Sequence, residues 1–243
     1  MKRIYKFAEI PIEIIYQYSY FLKKAADYEC EYTPKYFISV DDNDIQAERF
    51  RAKTAHYKDG YLESLAIYRK VCNILINDKI ILFHCSAVAV DGRAYLFAAP
   101  SGTGKSTHTA LWVRLFGEKA IMINDDKPLL RLQDSKLYVY GTPWKGKANI
   151  GTNTYAEVAG ICFINRDKHN TIKKITSIDS VMPRLLSQTN RFENPEKMRK
   201  TVEFLTDVLK ICPIYTLNCN MELEAAQMAY ATMKAVNNCQ VSK

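Results

Sequence analysis

The chain has 243 residues, 48% hydrophobic and 25% charged, with 34 lysines and arginines against 26 aspartates and glutamates. Length and composition suit one large globular domain or one domain with a small appendage, and no apolar run approaches the ~20 residues of a membrane span. The formal net charge of +8 fits an anionic ligand such as a nucleotide.

Met1-Lys2-Arg3-Ile4-Tyr5 is basic with no long apolar stretch behind it, so no signal peptide is expected. Arg3 to Tyr16 alternates loosely and reads as short strands broken at Pro11. Gln17 to Tyr28 reads as a helix and Tyr36 to Val40 as a strand. Asp41-Asp42-Asn43-Asp44 reads as a turn or helix cap; it lacks the glycine and distal glutamate of an EF-hand loop, so calcium is not expected. The aromatic residues Tyr16, Tyr18, Tyr20, Phe21, Tyr28, Tyr32, Tyr36 and Phe37 suit a packed core better than a base-stacking platform. Tyr61 to Ile76 has helical periodicity through Leu62, Leu65, Tyr68, Val71 and Leu75.

Ile80 to Val90 and Arg93 to Ala98 read as two strands around a tight Asp91-Gly92 turn. A glycine-bearing stretch, Ala99 to Thr107, follows, then a helix from Thr107 to Phe116. Ala120 to Asn124 reads as a buried strand ending at Asp125-Asp126. Pro128 to Leu132 and Lys136 to Tyr140 form an expected hairpin closed by Gln133-Asp134-Ser135, and Gly141 to Lys147 a loop. Ala156 to Asn165 and Thr171 to Thr176 read as strands. Ile178 to Gln188 reads as a helix in which Pro183 is tolerable only near the start. Pro195 to Leu209 is a helix capped by Asn194, Pro213 to Leu217 a strand, and Met221 to Val236 a final amphipathic helix.

The seven cysteines (30, 72, 85, 162, 212, 219 and 239) include no C-x-x-C pair, so reduced, mostly buried thiols in a cytoplasmic protein are expected, without zinc. Basic clusters at Lys168 to Lys174 and Lys197 to Lys200 are not interleaved with aromatics. They read as solvated surface, so neither a nucleic-acid nor a membrane partner is expected.

The chemistry concentrates in four places. Ser101-Gly102-Thr103-Gly104-Lys105-Ser106-Thr107, between a strand and a helix, has the layout of a phosphate-binding P-loop, with Ala99 where the usual pattern has its first glycine. Gly102 and Gly104 let backbone N–H groups curl around an anion, and the helix N-terminus adds partial positive charge. Lys105 supplies a full charge, and the Ser106 hydroxyl can coordinate magnesium. His84, in Phe83-His84-Cys85-Ser86-Ala87 on the preceding strand, is as readily a satisfied core residue as a group reaching phosphate or metal. Asp125-Asp126 stands about 20 residues past Lys105 at a strand end, where α/β sheets bind ligands. Paired carboxylates there can divide metal binding from general base work. Lys145 and Lys147 are candidates to hold a phosphate or an acidic substrate, and the same stretch reads as readily as a plain surface loop.

His84-Cys85-Ser86-Ala87, the strand pair, the Gly-Lys-Ser loop and Asp125-Asp126 together resemble the nucleotide core shared by HPr kinase/phosphorylase and ATP-dependent phosphoenolpyruvate carboxykinase. The resemblance is close over about residues 80 to 165. It implies an α/β fold with a mixed sheet flanked by helices, an ATP-binding catalytic domain over 77–243, and a small N-terminal α+β region over 1–76 as a candidate substrate-binding part. It further implies a kinase using ATP and Mg2+ to phosphorylate a hydroxyl, with Asp125 as base, Ser106 and Asp126 on the metal, and His84 near both metal and phosphates; the roles of Asp125 and Asp126 are exchangeable. The acceptor implied is a serine or threonine of a peptide or protein, with a free small molecule such as serine as the alternative, and a homo-oligomer is compatible. An ATPase or GTPase switch and a nucleotide-binding recognition module are the competing readings. The chain is too short for a carboxykinase, and residues 1–76 do not resemble the N-terminal domain of HPr kinases.

Overall fold

The computed structural model describes residues 1–53 and 56–238; Cys239 and the residues after it lie outside them. The fold is mixed α/β, with a three-stranded sheet beside a larger curled sheet flanked by helices.

The small sheet begins with an antiparallel hairpin of β1 (Lys2–Phe7) and β2 (Ile10–Ile15). The break falls at Ala8-Glu9, whose φ values of 46° and 67° make a two-residue left-handed turn; Pro11, expected as the break, lies within β2. β3 (Tyr36–Ser39) runs parallel to β2. The expected helix over 17–28 shrinks to α1 (Ser19–Lys24) and a turn of 3-10 helix. The start of α1 is held by the buried Glu63 carboxylate, which accepts from the backbone N–H groups of Gln17 (2.5 Å) and Tyr18 (2.9 Å). Asp41 caps α2 (Asp42–Arg51) through a reciprocal box with Asp44, a contribution of about 1 kcal/mol. α3 (Asp59–Leu75) buries Leu62, Ile67, Val71 and Leu75. Among the clustered aromatics, Tyr16, Phe21 and Tyr28 are core residues, whereas Tyr18, Tyr20, Tyr32 and Phe37 are exposed.

The larger sheet holds β4 (Ile80–Leu82), β5 (Ser86–Val90), β6 (Arg93–Ala98), β7 (Ile121–Asn124), β8 (Leu129–Gln133), β9 (Lys136–Tyr140), β10 (Tyr155–Arg166), β11 (Thr171–Lys174) and β12 (Ile214–Cys219). Its order is β4-β8-β9-β10-β6-β5-β7, and the end of β10 also pairs with β12, which carries β11. Left-handed pairs at Asp91-Gly92 and Asp134-Ser135 close the two expected hairpins. The single strand expected over Ile80 to Val90 is two strands set far apart in the sheet, β4 at one end of the order and β5 between β6 and β7 near the other. Phe83 to Cys85 span between them, the Phe83 N–H donating to Pro128 O (3.2 Å) and the His84 N–H to Gln188 O (2.7 Å). His84 therefore stands in a strand break, not on a strand.

The curl brings the end of β9 against the end of β7. A Cβ on Gly141 would lie 2.0 Å from Thr152 O and 3.0 Å from Ile123 O, so only glycine fits. One face of the sheet packs on α5 (Ile178–Leu186) and α6 (Pro195–Ile211), through Val181, Leu185, Phe204 and Val208. Pro183 falls inside α5 and costs it a backbone hydrogen bond, whereas Asn194 and Pro195 cap and start α6 as expected. The other face packs on α4 (Lys105–Phe116) and α7 (Leu223–Asn238), with Trp112, Ala229 and Met233 against Tyr95, Phe97 and Tyr215. Burial stabilises each fully covered large apolar side chain by about 1.5–3 kcal/mol.

A third core joins Tyr5, Phe7, Phe21, Leu62 and Tyr68 of the N-terminal region to Ile80, Leu82, Leu129, Tyr140 and Trp144. The Trp144 ring lies 5.5 Å from Phe7, 5.8 Å from Phe21 and 5.1 Å from Tyr68, and its Nε1–H donates to Ser64 O (3.0 Å). The loop after β9 is thereby anchored to α3. Of the described cysteines, Cys30 is half-buried and Cys72, Cys85, Cys162, Cys212 and Cys219 are buried free thiols. Among the described residues, no helix is long and apolar enough to cross a membrane.

Candidate functional site

β6 runs into the glycine loop, and α4 starts at Lys105, two residues before its expected position. Gly102 (φ 79°) and Gly104 (φ 118°) adopt backbone that side-chain-bearing residues avoid, and Gly104 is the helix N-cap. The first turn of α4 carries no acidic residue to neutralise the helix dipole. Ser101, Gly102, Ser106 and Thr107 are exposed, and Thr103 and Gly104 are half-buried. Lys105 is only 8% exposed, and its Nζ donates to Ala99 O (2.9 Å). Burial lowers its pKa, against an opposing pull from Asp126, Cys85 and Asp125. The ammonium thus lies within the field of both aspartates.

The Asp125-Asp126 turn is built by Asn124, a fully buried residue at the end of β7. Its Oδ1 accepts from the backbone N–H groups of Asp126 (2.9 Å) and Lys127 (2.8 Å). Its Nδ2 donates to Thr142 O and Oγ1 (3.1 Å each), and Thr142 Oγ1 donates to Lys127 O (2.7 Å). The Asp-Asp turn and the 141–147 loop are therefore one hydrogen-bonded unit.

Asp125 is 8% exposed, and its Oδ1 accepts from the buried Ser86 hydroxyl (2.6 Å). Asp126 Oδ1 accepts from His84 Nε2 (2.9 Å), and its Oδ2 from Lys127 Nζ (2.8 Å). Burial pushes the Asp126 pKa up, but the His84 hydrogen bond and the Lys127 ammonium more than offset it and hold it at about 2. Cys85 lies behind this pair, its thiol pushed far up by burial.

Gly146 (φ 70°) brings the 141–147 loop against Asp126, where a Cβ would lie 2.9 Å from the Asp126 Cβ. Lys145 runs beside Gly151, and Lys147 is exposed. Lys24 of α1 reaches over to Asn149 Oδ1 (2.6 Å). Its pKa is lowered by burial and by the like charge of Lys145. Among the described residues, no carboxylate pairs with Lys24, Lys145 or Lys147.

The structure thus brings together Lys105, His84, Asp125 and Asp126, with the 141–147 loop alongside. Sequence reasoning missed Ser86, Asn124, Lys127 and Lys24 as parts of the site. An asparagine directly before Asp-Asp is a legible Asx-turn signal; Lys24, distant in sequence, offers none. A surface groove of about 490 Å³ between α6 and β8 has none of these residues in its walls.

Comparison with protein-family models and with curated proteins finds no match. Among solved structures, the HPr(Ser) kinase/phosphatase from Coxiella burnetii is similar over 67% of this chain and 99% of that chain, at 9% identity and a TM-score of 0.37. A likeness at that level carries no argument about activity.

Proposed function

We propose that this chain is a kinase of the HPr kinase-like type, which binds ATP with magnesium and transfers the γ-phosphoryl group to a serine or threonine hydroxyl of a peptide or protein. The observation that carries this reading is that the Lys105 ammonium, bonded to Ala99 O just past the end of β6, stands at the same end of the sheet as Asp125, which is bonded to Ser86, the β5 partner of Phe97 in β6. Such a site offers an anion cradle on one side and a carboxylate pair on the other. The motif order from His84 to Asp126, similar to that of HPr kinases, supports it.

The roles follow from the local chemistry. The 101–107 loop and Lys105 receive the phosphate chain and balance its charge. Asp126, ionised and held by His84 and Lys127, is a hard oxygen donor, and with the Ser106 hydroxyl it suits magnesium. Among the described residues no cluster of three or more His, Cys, Asp or Glu forms a metal cage. Magnesium shared with a nucleotide's phosphates requires none. When bound, the ion would neutralise phosphate charge. The base role falls to Asp125, because Asp126 is committed to His84 and Lys127, which hold it ionised with a pKa of about 2. The Ser86 hydroxyl donates to Asp125 Oδ1 and so restricts the rotation of that carboxylate. Among the described residues Lys145, Lys147 and Lys24 have no carboxylate partner, Lys24 bonding only to the Asn149 amide oxygen, and they suit an acceptor with acidic groups, which would give the 1–76 region a part in acceptor binding.

The test is Asp125→Asn. Losing a general base costs roughly 10²–10⁴ in rate, so transfer should collapse while binding of a fluorescent ATP analogue stays close to wild type. Undiminished transfer by Asp125→Asn would remove Asp125 from the mechanism.

A further inference from the structure

We infer that Arg166 is a positioning residue of the glycine loop, holding its backbone in the shape that receives a polyphosphate; this rests on reading the loop as the nucleotide site. Phe163 of β10 pairs with Ala98, the last residue of β6, and β10 runs on through Ile164 and Asn165 to Arg166. The longer central strand thereby carries a guanidinium out over the loop that begins where β6 stops.

The guanidinium meets the loop as a fork. Arg166 Nε donates to Thr103 O (2.9 Å) and Nη2 to Gly102 O (2.5 Å). A trans peptide is planar, so each carbonyl drawn toward Arg166 turns the next residue's N–H to the opposite side. Those are the N–H groups of Thr103 and Gly104. The first closes a turn on Pro100 O (3.2 Å); the second faces away from Arg166. On the other flank Lys105 Nζ holds Ala99 O (2.9 Å). Two cations far apart in the sequence therefore hold three carbonyls of one short loop, Ala99 at its start and Gly102 and Thr103 at its turn.

The charge balance points the same way. Among the described residues, no carboxylate lies within ion-pair distance of either Arg166 or Lys105, and Arg166 Nη1 has no hydrogen-bond partner. Two cations stand beside a helix N-terminus whose first turn has no acid. An arginine used only for stability at an exposed strand end is ordinarily balanced by an acidic neighbour or solvated. Here it is spent on loop carbonyls, which a lysine cannot bridge with the same planar fork.

The experiment compares wild type, Arg166→Gln, Arg166→Lys and Lys105→Ala, each with fluorescent analogues of ATP and AMP in magnesium buffer, alongside melting temperatures. Losing two charge-assisted hydrogen bonds to the loop should weaken the triphosphate about tenfold in both Arg166 variants. The monophosphate affinity and melting temperature should hold. A triphosphate affinity at the wild-type level in Arg166→Gln or Arg166→Lys, with Lys105→Ala losing it, overturns the role of Arg166 and leaves the nucleotide site standing. Equal losses for both nucleotides also overturn it, because they report general disruption. If Lys105→Ala binds ATP as wild type does, the nucleotide reading falls, and this inference with it. Arg166→Lys keeps the charge and the long stem, so it serves as the folded test should Arg166→Gln be unstable.

Discussion

Replacing Gly146 by alanine tests how closely the 141–147 loop presses on the carboxylate pair. Gly146 sits at φ 70°, and a Cβ there would lie 2.9 Å from Asp126 Cβ, 3.3 Å from its Cγ and 3.5 Å from its Oδ2. The left-handed backbone alone costs an alanine about 1–2 kcal/mol. The contact below 3 Å adds to this by moving either the loop or Asp126. For a chain of this size about 2–4 °C of melting temperature corresponds to each kcal/mol, so a fall of about 2–8 °C is expected. Moving Asp126 also disturbs its bonds to His84 and Lys127, so transfer activity should fall more than nucleotide binding. Scanning calorimetry gives the first quantity and γ-labelled ATP the second. Gly146→Asn separates the two causes, because asparagine tolerates the left-handed region but carries the same Cβ. A Gly146→Ala protein that melts and reacts like wild type would refute the close approach of this loop to Asp126.

Further outcomes follow from burial and charge. His108 is 3% exposed, and burial lowers its pKa from 6.5 to about 4. The unfolded chain takes up that proton first, so stability falls as pH drops from 6.5 to about 4, by about 3 kcal/mol. In His108→Gln, which can still accept from Trp112 Nε1, melting temperature should be flatter across that window; an unchanged slope counts against the assignment. Asp126 titrates with the opposite local cause and the same sign: its folded pKa of about 2 lies below the ordinary 3.8, so its contribution of about 2 kcal/mol is complete above 3.8 and disappears toward pH 2. Asp126→Asn should remove the acid dependence in that lower range. Trp144→Ala empties the junction of Phe7, Phe21 and Tyr68 and should cost about 3–5 kcal/mol by chemical denaturation; a loss under 1 kcal/mol would mean that the N-terminal region does not depend on that anchor.

What the sequence disclosed was mostly local chemistry. Asp91-Gly92 and Asn194-Pro195 each specify a conformation from a few adjacent residues, and each appears where expected; α4 begins at Lys105, two residues before the position expected for it. α2 escaped notice because Asp42 to Arg51 buries little beyond Ile45 and Glu48, and its start is fixed by a capping box between aspartates that also reads as a turn. The run Ile80 to Val90 is apolar apart from His84 and Ser86, and nothing in it marks that β4 lies at one end of the sheet order and β5 beside the strand at the other; the break at Phe83 to Cys85 is imposed by Pro128 and Gln188, distant in sequence. The same distinction runs through the site. Spacing along the chain is enough to name Lys105 and the aspartate pair as candidates, whereas the contacts of Ser86 with Asp125, Lys24 with Lys145 and Arg166 with the loop depend on strand register and chain crossing.

The most direct measurement incubates the protein with γ-labelled ATP, magnesium and a lysate of the source cell, beside the Lys105→Ala and Asp125→Asn variants, and separates the products by size. The account predicts label in a peptide or protein with the intact enzyme and none with either variant. Label confined to inorganic phosphate, or transfer that survives in Lys105→Ala, would contradict it.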